Sequence, residues 1–345
     1  MSNKTGILFL NLGTPDRPET PEVRRYLRQF LSDPRVIDIP ALGRWLLLNL
    51  FILPFRPKQS AEAYRAIWRE DGSPLLIYTQ ALADAIQATA GDDISVRIAM
   101  RYQNPSTSKA LEAFNAEGVD KLIVFPLYPQ YASSSTGSCL EDIYRQVAKF
   151  WNVPSLVVIP PYYDHPDFLK CLAEVTKASL DPIDSYDKFL FSFHGLPERQ
   201  VKKSDLDPKG WCLAKADCCA SIRDENRYCY RAQSYATARG FAQALGLTQD
   251  RYEVGFQSRL GRTPWIKPYT DMRLSALPKE GVRKLAVVVP SFASDCLETL
   301  EEIGIRGKEL FREAGGEQLD LVPCLNAHPE WVKVVKTMLT PYLGK

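Results

Sequence analysis

Eight short apolar runs recur along the chain, with helical stretches between them. Several of the runs are almost continuously apolar, which is typical of parallel strands covered on both faces. Strands that alternate with helices predict an α/β fold with doubly wound parallel sheets. The predicted strands span residues 6–13, 95–102, 121–129, 156–161, 188–195, 252–258, 284–291 and 319–325.

The predicted strands divide evenly between the two halves of the chain, which is compatible with two similar domains. A length of 345 residues is sufficient for about two domains, each with its own core. The boundary between the two domains is expected near residues 150–165, where prolines cluster. We therefore predict one Rossmann-like domain at residues 1–155, a second at 156–328, and a terminal helix at 329–345 that packs back on the first.

Two helix ends carry clear signals. The helix predicted at 232–245 is followed by Gly246, a suitable residue just beyond a helix C-terminus. Asp295 and Glu298 have the spacing of an N-cap and an N3 residue, and they predict the start of a helix over 297–314. Such a cap would give Glu298 a structural role and would explain this residue without any part in catalysis.

Charge and motifs narrow the function classes. Lys and Arg number 43 against 41 Asp and Glu, a net charge of +2, which does not favour a nucleic-acid partner and leaves a small molecule as the better candidate. The GxGxxG, P-loop, HExxH and GxSxG patterns are missing from the sequence, so a dehydrogenase, an NTPase and two common hydrolase types are not supported.

Residues 45–55 form the longest apolar run, yet this is shorter than the ~18–20 residues that cross a bilayer. A buried helix would explain the run. A membrane-facing lip over a flat hydrophobic ligand would also explain it, because Arg56 and Lys58 follow directly. The N-terminus reads as a first strand rather than a signal peptide, which predicts a cytoplasmic protein, with contact at the inner face of the cytoplasmic membrane as an option.

Polar residues follow several predicted strands, at the edge where open α/β sheets bind ligands. His194 is one of three histidines, and its imidazole could act as a base or a metal ligand, or only hydrogen-bond a loop. Asp295 and Glu298 follow the strand at 284–291 and could face the same cleft. The other candidates at strand ends are Arg101, Tyr102, Tyr128, Gln257 and Ser258.

Half of the eight cysteines fall within 18 residues and predict a metal site: Cys212, Cys218, Cys219 and Cys229. Zinc sites usually contain a C-x2-C step, which this spacing lacks, whereas four thiolates suit an iron–sulfur cluster. We predict a [2Fe-2S] cluster, with structural zinc and ordinary or labile thiols as alternatives. The remaining cysteines are expected to be buried structural thiols: Cys139, Cys171, Cys296 and Cys324.

Seven segments spread over nearly the whole chain resemble ferrochelatases, the enzymes that insert ferrous iron into a porphyrin in the last step of protohaem synthesis. Their order is that of the family, and the similarity is strongest to the proteobacterial type. The segments are GILFLNLGTPD (6–16), FLSDPRVID (30–38), GSPLLIYT (72–79), LYPQYASSSTGS (127–138), FSFHGLPER (191–199), FQSRLGRTPWIKPYTD (256–271) and PSFASDCLETLEEI (290–303).

The resemblance implies roles for individual residues. His194 resembles the family's catalytic histidine, which is proposed as a metal ligand or as the acceptor of pyrrole protons. Glu298, with Asp295, resembles the acidic partner on the opposite wall, so that the substrate Fe²⁺ would be handled between His194 and Glu298. The implied porphyrin-binding residues are Tyr64, Arg101, Tyr102, Tyr128, Gln257, Ser258, Trp265 and Phe292.

The resemblance also implies a chelatase-type fold, with two four-stranded Rossmann-like domains around a porphyrin cleft and residues 45–58 as a hydrophobic lip. The implied activity is a lyase reaction that inserts Fe²⁺ into protoporphyrin IX through porphyrin distortion, pyrrole deprotonation and metal delivery. The alternatives are a coproporphyrin or cobalt chelatase on the same fold, or a non-catalytic iron–sulfur or haem-binding sensor.

Two features depart from the family pattern. Vertebrate members hold a [2Fe-2S] cluster with three cysteines of a C-terminal tail, which has no counterpart in this sequence. The clustered cysteines here lie in an insertion at 205–230 that resembles the internal cluster of some bacterial members. Cys296 stands where many members have a histidine, which weakens any histidine relay beside Glu298.

Overall fold

The computed structural model describes residues 4–180, 182–261 and 263–343, which fold into two compact units. Within these ranges, unit 1 holds residues up to 128, residues 133–160 and residues from 326 onward, and unit 2 holds residues 129–132 and 161–325. Residues 1–3 of the predicted first domain and residues 344–345 of the predicted terminal helix lie outside the described residues.

Each unit is built around a four-stranded parallel sheet, which confirms the predicted α/β fold. The order is β2-β1-β3-β4 in unit 1 and β6-β5-β7-β8 in unit 2, so the same topology occurs twice. The strands of unit 1 are β1 (Thr5–Gly13), β2 (Ile94–Tyr102), β3 (Lys121–Pro126) and β4 (Ser155–Val158). The strands of unit 2 are β5 (Lys188–His194), β6 (Tyr252–Gln257), β7 (Lys284–Val288) and β8 (Gln318–Leu321).

Helices connect the strands in both units. Those of unit 1 are α1 (Thr20–Ser32), α2 (Ala41–Leu46), α3 (Arg56–Ile67), α4 (Pro74–Gln87), α5 (Thr107–Ala116), α6 (Ser138–Val147) and α13 (Pro329–Leu343). Those of unit 2 are α7 (Pro166–Ser179), α8 (Glu198–Lys203), α9 (Tyr230–Leu245), α10 (Thr270–Ala276), α11 (Leu297–Leu300) and α12 (Lys308–Glu313). Three π-helical turns occur at Leu47–Ile52, Ser133–Gly137 and Glu302–Gly307, and three 3₁₀ turns at Ile183–Ser185, Gln249–Arg251 and Leu277–Glu280.

Alternate residues of the central strands form the cores. In unit 1, Leu8 and Leu10 of β1 are buried together with side chains of β3, α5 and α6. In unit 2, Leu190 of β5 belongs to the corresponding cluster with side chains of β7, α10 and α12. Every predicted strand is present, but β3, β4 and β7 end three residues early and β8 four, although apolar residues just beyond them, such as Leu127 and Val289, stay buried.

The segment predicted as a helix over 297–314 is helical from 297 to 313 apart from Glu301, but it is not one regular α-helix. The segment consists of the short α11, a π-helical turn at Glu302–Gly307 and α12. The predicted cap is also shifted by one residue, because Cys296 is the N-cap and Thr299 the N3 residue of a reciprocal capping box. By contrast, α9 ends as predicted, with Gly246 in the left-handed conformation at φ 77°.

Candidate functional site

The topological switch of unit 2 lies between β5 and β7, because the chain passes from β5 to β6 on one side and then to β7 on the other. Open α/β sheets bind ligands at the carboxyl ends of the strands at such a point. β5 ends at His194, whose backbone N–H donates to Ser291 Oγ at 3.1 Å just beyond β7. His194 therefore lies at the ligand-binding edge of this sheet.

The imidazole of His194 has a defined orientation. Its Nδ1 lies 2.6 Å from the carbonyl oxygen of Gly195. A carbonyl can only accept a hydrogen bond, so Nδ1 carries a proton, and in the neutral tautomer the lone pair lies on Nε2. The half-buried ring lies 6.3 Å from that of Phe292. Nε2 is thus prepared to accept a proton or to bind a metal.

Gly195 permits close packing beside this histidine. Its N–H donates to the Gln257 carbonyl at 2.8 Å, and a Cβ atom here would lie 2.7 Å from the same oxygen and 3.3 Å from the Trp265 ring. Gln257 in turn donates from Nε2 to the backbone carbonyl of Glu298 at 2.7 Å. These contacts bring four predicted site residues together: His194, Gln257, Trp265 and Glu298.

The capping geometry at Cys296 determines what the neighbouring acids do. Asp295 is buried, and its Oδ1 accepts hydrogen bonds from Thr299 Oγ1 at 3.1 Å and from the Cys324 N–H at 3.3 Å, so it stabilises the start of α11. Glu298 is half-buried, and its side chain is not part of the cap. The competing capping explanation for Glu298 is therefore wrong.

The thiol of Cys296 lies beside the Glu298 carboxylate. Burial, with the nearby Glu298 charge, raises the pKa of Cys296 well above its usual value. The Cys296 side chain is therefore a neutral hydrogen-bonding group here rather than a thiolate.

Glu302, at the start of the π-helical turn, is a site residue that the sequence analysis missed. Both of its carboxylate oxygens are held by Ser258, one by the backbone N–H at 2.8 Å and one by the hydroxyl at 2.5 Å. Ser258 adopts a positive φ of 64°, a strained conformation of the kind found at functional sites. The four-residue spacing from Glu298 is the sequence signal that could have identified Glu302.

The electrostatic surroundings of Glu302 favour a retained proton. Burial and the nearby Glu298 charge raise the pKa of Glu302, against the opposing effects of the Ser258 hydrogen bonds and of His194. Glu302 thus interacts electrostatically with both His194 and Glu298. Such a set of interacting acid and base groups is suited to proton transfer.

In unit 1, the predicted residues Arg101 and Tyr102 at the end of β2 converge on Asp33, which the sequence analysis also missed. Asp33 Oδ2 accepts hydrogen bonds from Arg101 Nη2 at 2.8 Å, from the Tyr102 hydroxyl at 3.0 Å and from Ser138 Oγ at 2.5 Å. Burial opposes ionisation of Asp33, but these donors and the Arg101 charge lower its pKa overall. The network orients Arg101 and keeps Asp33 ionised.

The other two predicted site residues of unit 1 lie in apolar surroundings. Tyr64 is buried, with its ring edge-on to Tyr26 at 6.3 Å between centroids. Tyr128 is half-buried, and its hydroxyl lies 3.6 Å from Cys139 Sγ. Burial raises the pKa of Tyr128 well above its usual value. Both tyrosines are therefore packed within unit 1, and the Tyr128 hydroxyl stays protonated.

The apolar run at 45–58 has two faces. Leu48, Ile52 and Leu53 are buried in a small cluster with Leu31. The other face is exposed, with more than half of each of these side chains accessible: Trp45, Leu50, Phe51 and Phe55. The segment is therefore neither fully buried nor fully exposed. No helix of the described residues is long and apolar enough to cross a membrane.

The four clustered cysteines lie between α8 and α9, and all four side chains are buried. Cys218 Sγ and Cys219 Sγ are 3.6 Å apart, and Cys229 interacts with both Cys212 and Cys219. The Leu213 N–H donates to Cys218 Sγ at 3.4 Å, a hydrogen bond of the kind that stabilises a thiolate ligand.

The surrounding loop is held by further hydrogen bonds. Asp205 Oδ2 accepts the backbone N–H groups of Trp211 and Cys212, each at 2.6 Å, and Asn226 Nδ2 donates to the Cys218 carbonyl at 2.9 Å. The donor set therefore fits a four-thiolate centre. Across the described ranges, no group of three or more His, Cys, Asp or Glu side chains has the arrangement of a metal site, so the [2Fe-2S] cluster stays a prediction. The prediction of buried thiols is confirmed for all the other cysteines.

Comparison with known proteins places the chain in a family. The ferrochelatase family model matches residues 4–342. A ferrochelatase of Coxiella burnetii (strain Dugway 5J108-111) is 48% identical over 337 residues, 98% of this chain and 93% of the relative. Ferrochelatases of Pseudomonas entomophila (strain L48) and Legionella pneumophila (strain Lens) are 48% and 44% identical, over 96% and 97% of this chain and 97% and 98% of theirs.

Solved structures support the fold at much lower identity. SirB from Bacillus subtilis with Fe³⁺ is 13% identical with a TM-score of 0.53, over 97% of this chain and 95% of that one. The sirohydrochlorin chelatase SirB from Bacillus subtilis subspecies spizizenii in complex with cobalt is 11% identical with a TM-score of 0.55, over 98% and 94%. With the family match over nearly its whole length, the chain belongs to the ferrochelatase family.

Proposed function

We propose that the protein inserts Fe²⁺ into protoporphyrin IX to form protohaem, with His194, Glu298 and Glu302 handling protons and metal. The observation that carries this proposal is the convergence of an imidazole and two carboxyl groups at the switch point of unit 2. Relatives at 44–48% identity that are named ferrochelatases support the same reaction.

The reaction must remove two N–H protons from the macrocycle and strip water from Fe²⁺. In this proposal Nε2 of His194 takes a pyrrole proton, because Nδ1 is already occupied by the Gly195 carbonyl. The carboxylate of Glu298 supplies negative charge for the incoming substrate metal. The apolar rings of Phe292 and Trp265 would contact the porphyrin and favour a distorted ring.

Glu302 is assigned a proton-accepting role behind His194 and Glu298. Ser258 fixes its two oxygens, so the carboxyl group can gain or lose a proton without changing its position. A raised pKa brings its proton affinity nearer to that of an imidazole, which eases transfer between the two groups. The porphyrin contacts of Tyr64, Arg101, Tyr102 and Tyr128 remain part of the proposal.

Anaerobic incubation with Fe²⁺ and protoporphyrin IX tests this function, measured as loss of free-porphyrin fluorescence. We expect rapid loss with protoporphyrin IX and slower loss with coproporphyrin III or with Co²⁺ as the metal. Faster turnover of coproporphyrin would identify the alternative chelatase. Binding of porphyrin without metal insertion would contradict the proposal and favour a sensor.

Replacement of Glu302 by glutamine is expected to change the pH dependence of metal insertion. A raised carboxyl pKa means that the group is still protonated at a pH where an exposed glutamate, with a pKa of about 4.3, is ionised. If the carboxylate form is required, wild-type activity falls with decreasing pH through this raised pKa. In Glu302→Gln this acid limb should disappear or move to lower pH, with the rate lowered roughly tenfold or more at neutral pH.

The measurement is a profile of kcat and kcat/KM from pH 5 to 9. Glu309→Gln on the exposed side of α12 is the matched control and should keep the wild-type profile. An unchanged acid limb in Glu302→Gln would remove Glu302 from the proton pathway.

We further propose that Cys212, Cys218, Cys219 and Cys229 hold a [2Fe-2S] cluster. Their burial, their mutual contacts and the N–H donor to Cys218 support four thiolate ligands. When bound, such a cluster would supply one-electron redox chemistry and would cross-link the loop at 205–230. Structural zinc is the alternative occupant of the same thiols.

We also propose that the exposed face of residues 45–58 binds the surface of an anionic membrane, such as the inner face of the cytoplasmic membrane. Exposed aromatic residues stand beside the exposed basic residues Arg56 and Lys58, a combination that suits the interfacial region of a bilayer. A flat apolar porphyrin could then pass between membrane and protein without crossing water.

The double variant Phe51→Ser/Phe55→Ser is expected to weaken binding to vesicles of phosphatidylethanolamine and phosphatidylglycerol. These side chains are 66% and 74% exposed, and burial of each ring stabilises by about 1.5–3 kcal/mol, so the affinity should fall roughly a hundredfold or more. Sedimentation with vesicles measures this loss. Trp151→Ser, at a position 98% exposed outside the lip, is the control, and an equal effect there would contradict a specific membrane face.

A further inference from the structure

A half-buried arginine faces the four clustered cysteines. Arg231, the second residue of α9, donates from Nη1 to Cys219 Sγ at 3.2 Å. Its other hydrogen bonds go to the Lys267 carbonyl, at 3.4 Å from Nε and 3.3 Å from Nη2, and to the Tyr235 hydroxyl at 3.4 Å. The Tyr235 ring also lies 4.8 Å from the guanidinium carbon.

Among the described residues, Arg231 forms no ion pair with a carboxylate. Arg101 and Arg273, which are also half-buried, differ from it, because Arg101 is paired with Asp33 and Arg273 with Glu253 and Glu280. A cation taken out of water needs a compensating charge, or its burial is costly. The ionisable side chains against it are the Cys219 thiol and the Tyr235 hydroxyl. The guanidinium therefore places its positive charge directly against the sulfur of a proposed cluster ligand.

We propose that Arg231 is the counter-charge of the four-cysteine centre and raises the reduction potential of the cluster. This inference rests on the cluster proposed above. Reduction by one electron adds a negative charge to the cluster, and a guanidinium that donates to a ligand sulfur stabilises the reduced form more than the oxidised one. Arg231 acts through Cys219 and is a positioning residue for the cluster.

The chain contains a matched control on the same helix. Arg239 Nη1 donates to the backbone carbonyl of Cys219 at 3.2 Å and thus contacts the same cysteine, but not its sulfur. Replacing Arg239 removes a positive charge that contacts Cys219 through its backbone only. The comparison therefore separates a specific effect on the sulfur from a general loss of charge.

The experiment reconstitutes the wild type, Arg231→Met, Arg231→Lys and Arg239→Met anaerobically with ferrous iron and sulfide. Cluster content is measured by visible charge-transfer absorption and by electron paramagnetic resonance after dithionite reduction. A dye-mediated redox titration then gives the midpoint potential. We expect Arg231→Met to lower the equilibrium constant for reduction at least tenfold, which is 59 mV for a one-electron couple. Arg231→Lys and Arg239→Met should stay closer to the wild type.

Several outcomes would overturn the inference. An intact cluster with an unchanged potential in Arg231→Met would exclude Arg231 as the counter-charge while leaving the cluster in place. If Arg231→Met folds without a cluster, Arg231→Lys must still assemble one, and failure of both variants would indicate a packing role instead. A wild type that binds zinc but assembles no cluster would overturn the cluster proposal itself.

Discussion

Replacement of His194 by alanine is expected to lower the rate of metal insertion roughly 10²–10⁴-fold, the usual contribution of a positioned acid–base group. The imidazole stands at the end of β5 with Nδ1 protonated, so Nε2 is its reacting atom. The ring is half-buried and contributes no hydrogen bond to the sheet, while the backbone N–H to Ser291 survives the substitution. The fold and porphyrin binding should therefore be retained.

Single-turnover fluorescence with bound protoporphyrin IX measures this loss separately from porphyrin affinity. His328→Gln is the control, because His328 lies in a loop of unit 1 and its Nδ1 accepts a hydrogen bond from the Glu330 N–H. Equal loss in both variants would point to a general effect of histidine replacement. Near wild-type turnover in His194→Ala would remove this residue from the chemistry.

Replacement of Glu298 by glutamine is expected to lower the rate at least roughly a hundredfold, because an amide has no charge to attract Fe²⁺ and does not accept a proton. The stability of the protein should not change, since Cys296 and Thr299 make the cap of α11 and the Glu298 backbone carbonyl still accepts from Gln257. A loss of activity with an unchanged Tm is thus the expected pattern.

Steady-state kinetics with varied Fe²⁺, together with thermal unfolding, test this expectation. Thr299→Ala provides the contrast, because it removes the reciprocal cap and should lower stability by about 1 kcal/mol with a smaller effect on the rate. If Glu298→Gln unfolds like Thr299→Ala while retaining its rate per folded molecule, the carboxylate has only a structural role.

The strands could be predicted because a strand that is buried on both faces consists of an almost continuous run of apolar residues. Runs such as residues 6–13 contain almost no polar residue, and all eight strands appear where such runs were found. The ends of the strands could be predicted less accurately than their positions. At 284–291 the apolar pattern continues past the last ladder hydrogen bond, because Val289 is buried without being paired in the sheet.

The segment after β7 shows where local reasoning fails. Asp295 and Glu298 have the spacing of a capping box, but the chain caps with Cys296 and Thr299 instead. The predicted and the observed cap differ by one residue. Only tertiary contacts, such as the hydrogen bond from the Cys324 N–H to Asp295, decide between them. Likewise, the spacing of apolar residues expected for an α-helix gives no signal for the π-helical turn that begins at Glu302.

Residues that act through partners distant in the sequence could not be predicted either. Glu302 depends on Ser258, which lies 44 positions away, and Asp33 depends on Arg101, which lies 68 positions away. Each looks like an ordinary surface acid in the sequence. His194 and the clustered cysteines could be found because rarity and local spacing already distinguish them.

The close approach at Gly195 has a consequence for the acid–base behaviour of the molecule. The Gly195 N–H is held by the Gln257 carbonyl, and the Gly195 carbonyl decides which nitrogen of the His194 imidazole carries the proton. The histidine is therefore oriented before substrate arrives, and no rearrangement of dipoles is needed during turnover. Gly195, which has no side chain, thus determines that His194 exchanges protons through Nε2.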